Sequence, residues 1–500
     1  MLSQFVKRQF AFKTTSFFAV DKIFLENMHN KRTKIVATLG PASSTKEVIG
    51  QHFQNGLNVC RLNFSHGTHE SHGKLVETVR EAYQYSPRPF GHPIMMDLKG
   101  PSIRTGFLKN KEPVFLRKGD HLEITTEYSY LGDKNKISCS YPKLIESVDI
   151  DDLILVADGN LALKVVNKSP SQNTLRTLVL NDYMLGEKKN MNLPGNKVDI
   201  PTITEKDAFD LKNFTVPYGI DLVSVSFCRS ADDVNQCRHI LGLNGKNTKI
   251  VAKIENHEGI RNLKEIVKAA DAIMIARGDL GMEIPSEKIT IAQKWMTELA
   301  RENLKPVIVA TQMLESMTVN SRPTRAEIAD VTNAILDGTD CVMLSGETSA
   351  GKFPIQAVEA MRNISVEAEN CIDYTESFKS RIFYPESEAE ALIIGSVSYS
   401  LESEGDVIVI LSDNPDHAKY CSLVRPKNFV MAPFTEDATL RFFELFSGLY
   451  GVKVTPEMSK DRKIKESMKC AKRLGLIDSH YHKPIMVIDC HSLVSKRITI

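Results

Sequence analysis

The chain has one tryptophan in 500 residues, no Cys-x-x-Cys pair among nine cysteines, and no excess of either charge. It also lacks any apolar run of the roughly 20 residues a membrane helix needs. Each absence excludes something. An odd, scattered set of cysteines is not a disulfide framework and reads as reduced intracellular thiols. With 63 basic and 62 acidic residues the formal net charge is +1, so neither a nucleic-acid nor a membrane partner is expected, while a local phosphate site stays open. Neither a repeat of solenoid period nor a low-complexity tract is present. What remains is globular: 42% hydrophobic and 25% charged, with a length that suggests roughly three domains. The first 20 residues carry Lys7, Arg8 and Lys13 with no acid before Asp21. That bias is shared with mitochondrial presequences, although a plain tail on a cytoplasmic protein is the simpler reading.

Short apolar runs rich in β-branched residues recur along the chain. The first three are Lys34–Thr38, Leu57–Arg61 and Ile94–Asp97. Five more are Leu222–Ser226, Ile250–Lys253, Ala272–Ala276, Val307–Thr311 and Cys341–Ser345. Helical patterns lie between the later ones, as in Ile260, Leu263, Ile266, Val267 and Ala270, and in Ile328, Val331 and Ile335 after Pro323. Eight strands alternating with helices imply a (β/α)8 barrel, whose site lies at the carboxyl ends of its strands. Between about 103 and 203 the pattern changes to hairpin-like runs: Val114–Leu116, His121–Thr125, Leu153–Val156 and Leu175–Leu180. This reads as an inserted all-β lid domain over the barrel mouth. From about 373 strands and helices restart (helix 391–401, strand 407–411, helix 415–424, strand 429–431, helix 437–446, strand 485–488), which reads as a three-layer α/β domain. The expected division is thus an N-terminal extension 1–30, a barrel of 31–102 and 204–372, a lid 103–203 and a C-terminal α/β domain 373–500.

The ends of the strands carry the chemistry. The second run delivers Arg61, Asn63, Ser65 and His66, and the third Asp97 and Lys99 with Arg104 beyond. The fifth to eighth deliver Lys253 and Glu255, Arg277 and Asp279, Thr311 and Gln312, and Ser345 and Glu347. Single inward charges can serve packing alone, but charged or polar groups from six strands on one rim point to a site. Glu255 and Asp279 suit a hard divalent ion. Lys253, two residues before Glu255, could neutralise a transferring phosphoryl group, and Arg61 and Arg104 could fork onto its oxygens. No hydrolytic nucleophile with a partner accompanies them.

Three features invite other readings. Gly346-x-x-x-x-Gly351-Lys352 nearly spells a P-loop, but Phe353-Pro354 replaces the metal-binding hydroxyl and is expected to prevent the helix start. His66, His69 and His72 have no cysteine or fourth ligand to complete a zinc site, and read as exposed or phosphate-contacting. Trp295, with Ile291 and Met296, reads as helix packing.

The strings Arg61-Leu-Asn-Phe-Ser-His-Gly-Thr-His69, Lys253-Ile-Glu-Asn-His-Glu-Gly259, Ala276-Arg-Gly-Asp-Leu-Gly281, Ala310-Thr-Gln-Met-Leu-Glu-Ser316, Arg322-Pro-Thr-Arg-Ala-Glu327 and Met343-Leu-Ser-Gly-Glu-Thr348 resemble those of pyruvate kinases. The likeness is strong over about 31 to 370, moderate in the insertion through Met191-Asn-Leu-Pro-Gly195, and weak in the C-terminal domain. It implies a glycolytic phosphotransferase that makes pyruvate and ATP from phosphoenolpyruvate and ADP, requiring Mg2+ and usually K+, in a homotetramer. By the same resemblance, Glu255 and Asp279 would hold magnesium and Lys253 would stabilise the phosphoryl group in flight. Arg61 would contact the phosphate, while Gly278, Asp279 and Thr311 would hold the carboxylate end, with Thr311 and water relaying the final proton. Asn63, Ser65, Asp97 and the Leu98 carbonyl would form the potassium site. Asn63, Ser65, His66, Arg104 and Lys189 would face the nucleotide.

The chain departs from that family in four places. Leu98 stands where animal members have Thr, and Ser102 where they have Glu. Ser412-Asp-Asn-Pro-Asp416 and Cys490–Lys496 replace the two loops of the family's sugar-bisphosphate effector site, so no activation by fructose 1,6-bisphosphate is expected. Two other functions fit parts of the sequence: a magnesium-dependent lyase acting on a phosphoenolpyruvate-type substrate, and a catalytically silent paralogue acting as an interaction protein. The first would not need the lid or Arg104, and the second would not need Lys253, Glu255, Asp279 and Thr311.

Overall fold

In a computed structural model, residues 31–379, 384–403, 405–478 and 480–499 are described. The basic N-terminal stretch lies outside them. Eight parallel strands close into a barrel: β1 (Lys34–Thr38), β2 (Val59–Asn63), β3 (Ile94–Asp97), β4 (Leu222–Val225), β5 (Lys249–Ile254), β6 (Ala272–Ala276), β7 (Val307–Ala310) and β8 (Cys341–Leu344). All eight expected strands are present. The second begins two residues later than its apolar run suggested and extends through Asn63.

Successive residues of a strand face opposite sides, so each strand feeds two cores. Ile35, Ala37, Cys60, Leu62, Val223, Val225, Ile273 and Ile275 pack outward under the helices. Val36, Val59, Met95, Leu222, Val251, Met274, Ile308 and Met343 belong to the inner set. The same alternation places Arg61 two residues beyond Val59, Asp97 two beyond Met95 and Lys253 two beyond Val251. The inner strand residues become polar at the carboxyl end of the barrel.

Between β3 and β4 the chain leaves to form a seven-stranded sheet with its own core, built around Leu122, Ile154, Leu163, Leu175 and Val179. Its longest strand, Leu161–Ser169, had no clear signal in the sequence. All its pairings are antiparallel except His121–Thr125 with Lys136–Ser138. The C-terminal sheet has five strands in the order Leu449–Lys453, Phe429–Phe434, Val407–Leu411, Ile485–Asp489 and Val494–Ile498. Sequence reading found the middle three and missed the two edges and the helix Lys460–Arg473.

Three local expectations are corrected. Pro354 does not block a helix but opens one, Pro354–Asn370, as its first residue; the first turn has no use for the missing N–H. Trp295 and Ile291 do not pack inward: they are 39% and 70% exposed, and Met296 alone of the three is buried. His72 is neither exposed nor free for phosphate. Its ring stacks on Phe64 at 4.3 Å and its Nε2 lies 2.8 Å from the His66 carbonyl. Among the described residues no helix is long and apolar enough to cross a membrane.

The inner barrel core continues without a break into one face of the C-terminal sheet, through Ile393, Ile408, Val430, Phe443 and Phe446. Charged groups of that domain also reach the barrel: Arg425 pairs with Asp340 and Arg441 with Asp221, and Glu444 is the most deeply buried of the three. Glu444, 1% exposed, accepts hydrogen bonds from Arg88 Nε at 2.8 Å and Asn58 Nδ2 at 2.6 Å, with Lys34 Nζ at 3.8 Å. Burial alone would raise its pKa, but Arg88, then Lys34 and the Asn58 hydrogen bond outweigh it and hold the carboxyl down at about 2. The folded value lies below the unfolded 4.5, so this stabilisation is present above pH 4.5 and is lost as pH falls toward 2. Glu444→Gln should therefore lower Tm at pH 7 and flatten the fall in Tm below pH 4.5. Parallel acid melting curves for the two proteins would show that Glu444 is not part of the acid response.

Candidate active site

A cavity of about 850 Å³ opens between the carboxyl ends of the barrel strands and the inserted sheet. Arg61, Lys253, Glu255 and Asp279 line its barrel side, with Asn63, Ser65 and His66 from the segment that ends β2 and follows it. Arg104 reaches it from a strand of the insertion and Lys189 from the residue just before that strand's partner, Asn190–Asn192, while Lys99 and Ser102 come from the crossing segment. Arg61, Lys253, Glu255, Asp279 and the five residues expected to face the nucleotide thus share one cavity, whereas Asp97, Leu98, Gly278 and Thr311 do not line it.

Beneath it lies a dense charge cluster. Asp97 is fully buried, and its Oδ2 accepts from Arg61 Nε at 2.7 Å and pairs with Arg61 Nη2 at 2.6 Å. Its Oδ1 faces Lys253 Nζ at 3.2 Å. Burial pushes the Asp97 pKa up, but Lys253 and then Arg61 outweigh it and leave the carboxyl below its ordinary value. Arg61 is fixed from a second side by Thr38 Oγ1, which accepts from Nη1 at 2.6 Å. Lys253 Nζ also meets Glu255 Oε1 at 2.9 Å and donates to Ser226 Oγ at 2.8 Å. Burial would depress its pKa, yet Asp97 and then Glu255 raise it, so the amine is a cation.

Glu255 and Asp279 behave differently. Burial raises the Glu255 pKa first; Lys253 opposes this and Asp279 adds to it, leaving Glu255 above the ordinary carboxylate range. Asp279, in the helix Arg277–Glu283 that follows β6, is also raised, chiefly by burial. Glu255 Oε2 accepts the Phe227 N–H at 2.6 Å, while Oε1 faces the Lys253 ammonium at 2.9 Å. A buried and a half-buried carboxylate that resist ionisation together suit a hard divalent cation. Within the histidine triplet, His69 Nε2 lies 2.7 Å from Asp210 and His72 Nε2 lies 2.8 Å from the His66 carbonyl; among the described residues no group of three or more His, Cys, Asp or Glu is placed to hold an ion.

Gly278 and Thr311 adjoin the cluster but are bonded to each other, the Gly278 N–H donating to Thr311 Oγ1 at 2.7 Å. Thr311 has φ +71°, costly for a β-branched residue and a mark of strain held in place by its surroundings. Leu98 is buried, and its carbonyl accepts from Ser226 Oγ at 2.7 Å. Three rim candidates lie outside the cavity lining, two of them as structural braces. Arg277 pairs with Asp330 at 2.7 Å and donates to the Thr311 carbonyl, Glu347 braces the backbone N–H groups of Leu314 and Ser345, and Gln312 is exposed outside the cavity. Sequence reading passed over Ser226, although it follows β4 directly and the rule applied to the other strand ends would have found it. It also missed Arg229, which donates to Thr202 Oγ1 and the carbonyls of Val198 and Ile200, and Asn192, which donates to Glu283 at 3.2 Å. Both tie the insertion or its return segment to the barrel.

A family model described as the barrel domain of pyruvate kinase matches residues 30–358. A pyruvate kinase of Eimeria tenella is 46% identical over 455 residues, covering 90% of this chain and 85% of that protein. A cytosolic pyruvate kinase isozyme of Nicotiana tabacum is 45% identical over 398 residues, 79% of this chain and 78% of its own. Among solved structures, a pyruvate kinase from Cryptosporidium parvum superposes with a TM-score of 0.89 at 38% identity, covering 96% of this chain and 99% of that one.

Removing the carboxylate that joins two buried cations should be costly, since breaking a buried ion pair typically loses about 3–5 kcal/mol. Asp97→Ala is expected to lower the barrel's Tm by several degrees, and an unchanged melting curve would show that solvent already compensates Arg61 and Lys253.

Proposed function

The chain belongs to the pyruvate kinase family and is a glycolytic phosphotransferase, and we propose that the cavity residues above carry the phosphoryl group of phosphoenolpyruvate to ADP. The observation that carries this assignment of residues is the convergence of Lys253, Arg61, Glu255 and Asp279 on one cavity whose far wall presents Arg104 and Lys189. Arg61, already fixed by Asp97 and Thr38, holds the phosphate without having to be ordered on binding. Lys253 presents a permanent positive charge where negative charge builds on the transferring group. Asn63, Ser65, His66, Arg104 and Lys189 face the nucleotide. Gly278, Asp279 and Thr311 hold the carboxylate end of the substrate, and the Thr311 hydroxyl with water delivers the proton to enolpyruvate.

Glu255 and Asp279 are proposed as the ligands of Mg2+, which when bound supplies charge to the phosphate and carboxylate oxygens. Asn63, Ser65, Asp97 and the Leu98 carbonyl are proposed as the K+ site. Asn63 Oδ1 accepts from the Ser65 N–H, Asp97 accepts from Arg61 and Lys253 and the Leu98 carbonyl accepts from Ser226. An ion would share oxygens already in use. Ser102, whose Oγ has no partner, adds no negative charge there. We take 31–102 with 204–372 as the barrel domain, 103–203 as the lid and 373–500 as the C-terminal domain of a cytoplasmic homotetramer.

Lys253→Met should reduce turnover by at least a hundredfold, on the order of 3 kcal/mol of transition-state stabilisation, with phosphoenolpyruvate binding retained through Arg61. Wild-type turnover in that variant, in a coupled assay of ATP formation, would remove Lys253 from the mechanism. Potassium should stimulate turnover but half-saturate at a higher concentration than in the Ser102→Glu variant. Full activity in tetramethylammonium buffer free of sodium and potassium would show that the monovalent site is dispensable.

A further inference from the structure

Lys253 is held by three groups, and only one of them is neutral. Its ammonium has three N–H donors, and three acceptors surround it: Asp97 Oδ1 at 3.2 Å, Glu255 Oε1 at 2.9 Å and Ser226 Oγ at 2.8 Å. The shortest contact is the serine's. Asp97 is shared with Arg61, and Glu255 is half of the proposed divalent site, so neither carboxylate belongs to Lys253 alone.

The serine is itself fixed. It is 2% exposed, directly after β4, in a strand whose Ser224 is opposite Asp97 of β3. Its single proton has an acceptor at 2.7 Å in the Leu98 carbonyl, with Asp97 Oδ1 farther away at 3.3 Å. With the proton on Leu98, a lone pair is free for Lys253. Gly100, at φ +67°, packs so closely that a Cβ there would lie 2.7 Å from the Ser226 Cβ.

We propose that Ser226 is a positioning residue for phosphoryl transfer: it holds the Lys253 amine at the cavity floor without drawing on its charge. A carboxylate in its place would also hold the amine, but would offset the positive charge that the transferring group requires. The inference rests on the role proposed above for Lys253.

The test uses the full chain and compares Ser226→Ala and Ser226→Cys with wild type in steady-state ATP formation from phosphoenolpyruvate and ADP. Cysteine is close to serine in shape, with a somewhat larger Sγ, and is a weak acceptor. Threonine is unsuitable, because its added methyl group would press on Gly100. Both variants should lose about 10- to 100-fold in kcat, with KM for phosphoenolpyruvate within about threefold of wild type and Tm nearly unchanged. Wild-type kcat in Ser226→Ala would overturn the proposal. So would recovery of kcat in Ser226→Cys alone, which would make the role one of packing, or a rise in KM with kcat intact, which would make it one of substrate binding. If Ser226→Ala does not fold, the cysteine variant alone decides by the same kcat and KM criteria. A wild-type chain that forms no ATP would instead sink the parent assignment, and this inference with it.

Discussion

A closed parallel barrel turns every second residue of each strand toward a space that is dry at its middle and wet at its mouth, and the placement of charge in this protein follows from that constraint. Val36, Val59, Met95 and Val251 fill the dry layer. One step further along the same strands come Thr38, Arg61, Asp97 and Lys253. Two cations and a carboxylate at that depth are stable only as a set, because each unpaired charge would cost several kcal/mol. Asp97 provides the pairing, at 2.6–2.7 Å to Arg61 and 3.2 Å to Lys253. The arrangement that makes the barrel tolerable is also the one that orients the groups facing the substrate.

The cavity floor is built on neighbouring strand ends, whereas its roof is attached by few contacts. Arg229 donates to the carbonyls of Val198 and Ile200 on the segment returning from the insertion. Asn192 donates to Glu283, the last residue of the short helix that carries Asp279. A change in the angle of the inserted sheet would therefore act on the same helix as the proposed metal ligand. Elements that close over substrates are drawn from such lightly tied parts of a structure.

Much of this was legible in order of residues alone, and the limits were physical. The eight barrel strands are short, apolar and β-branched because both their faces are buried, which leaves a plain mark in sequence. Strand Val494–Ile498 leaves none: its side chains are nearly all exposed, and its residues alternate no hydrophobic face. The helix Lys460–Arg473 is mostly charged and buries little beyond Ile464 and Met468 among its large apolar residues. Charges at strand ends could be found by position, but their partners could not. Nothing in the spacing of Glu347 or Arg277 distinguishes a group that faces the cavity from one that braces a neighbouring loop. Ser226 differs in kind, since a small hydroxyl among louder charges carries no signal except its place.

The continuous core between barrel and C-terminal sheet bears on how such chains can be recombined. Val36, Met95 and Ile308 share one apolar cluster with Ile408, Val430 and Phe446, with the Lys34, Arg88 and Glu444 charges buried beside it. A graft that exchanges everything after residue 372 for the matching part of a relative would cut across a packed interior rather than between two finished ones. The transplanted part would have to bring a carboxylate to the place of Glu444 and side chains that fit the barrel floor. The opposite face of the same sheet, packed on Ile464 and Met468 of its own helix, is under no such obligation. Inheritance on the two sides of one sheet should therefore run at different speeds, with the barrel-facing side tied to a partner that lies hundreds of residues away.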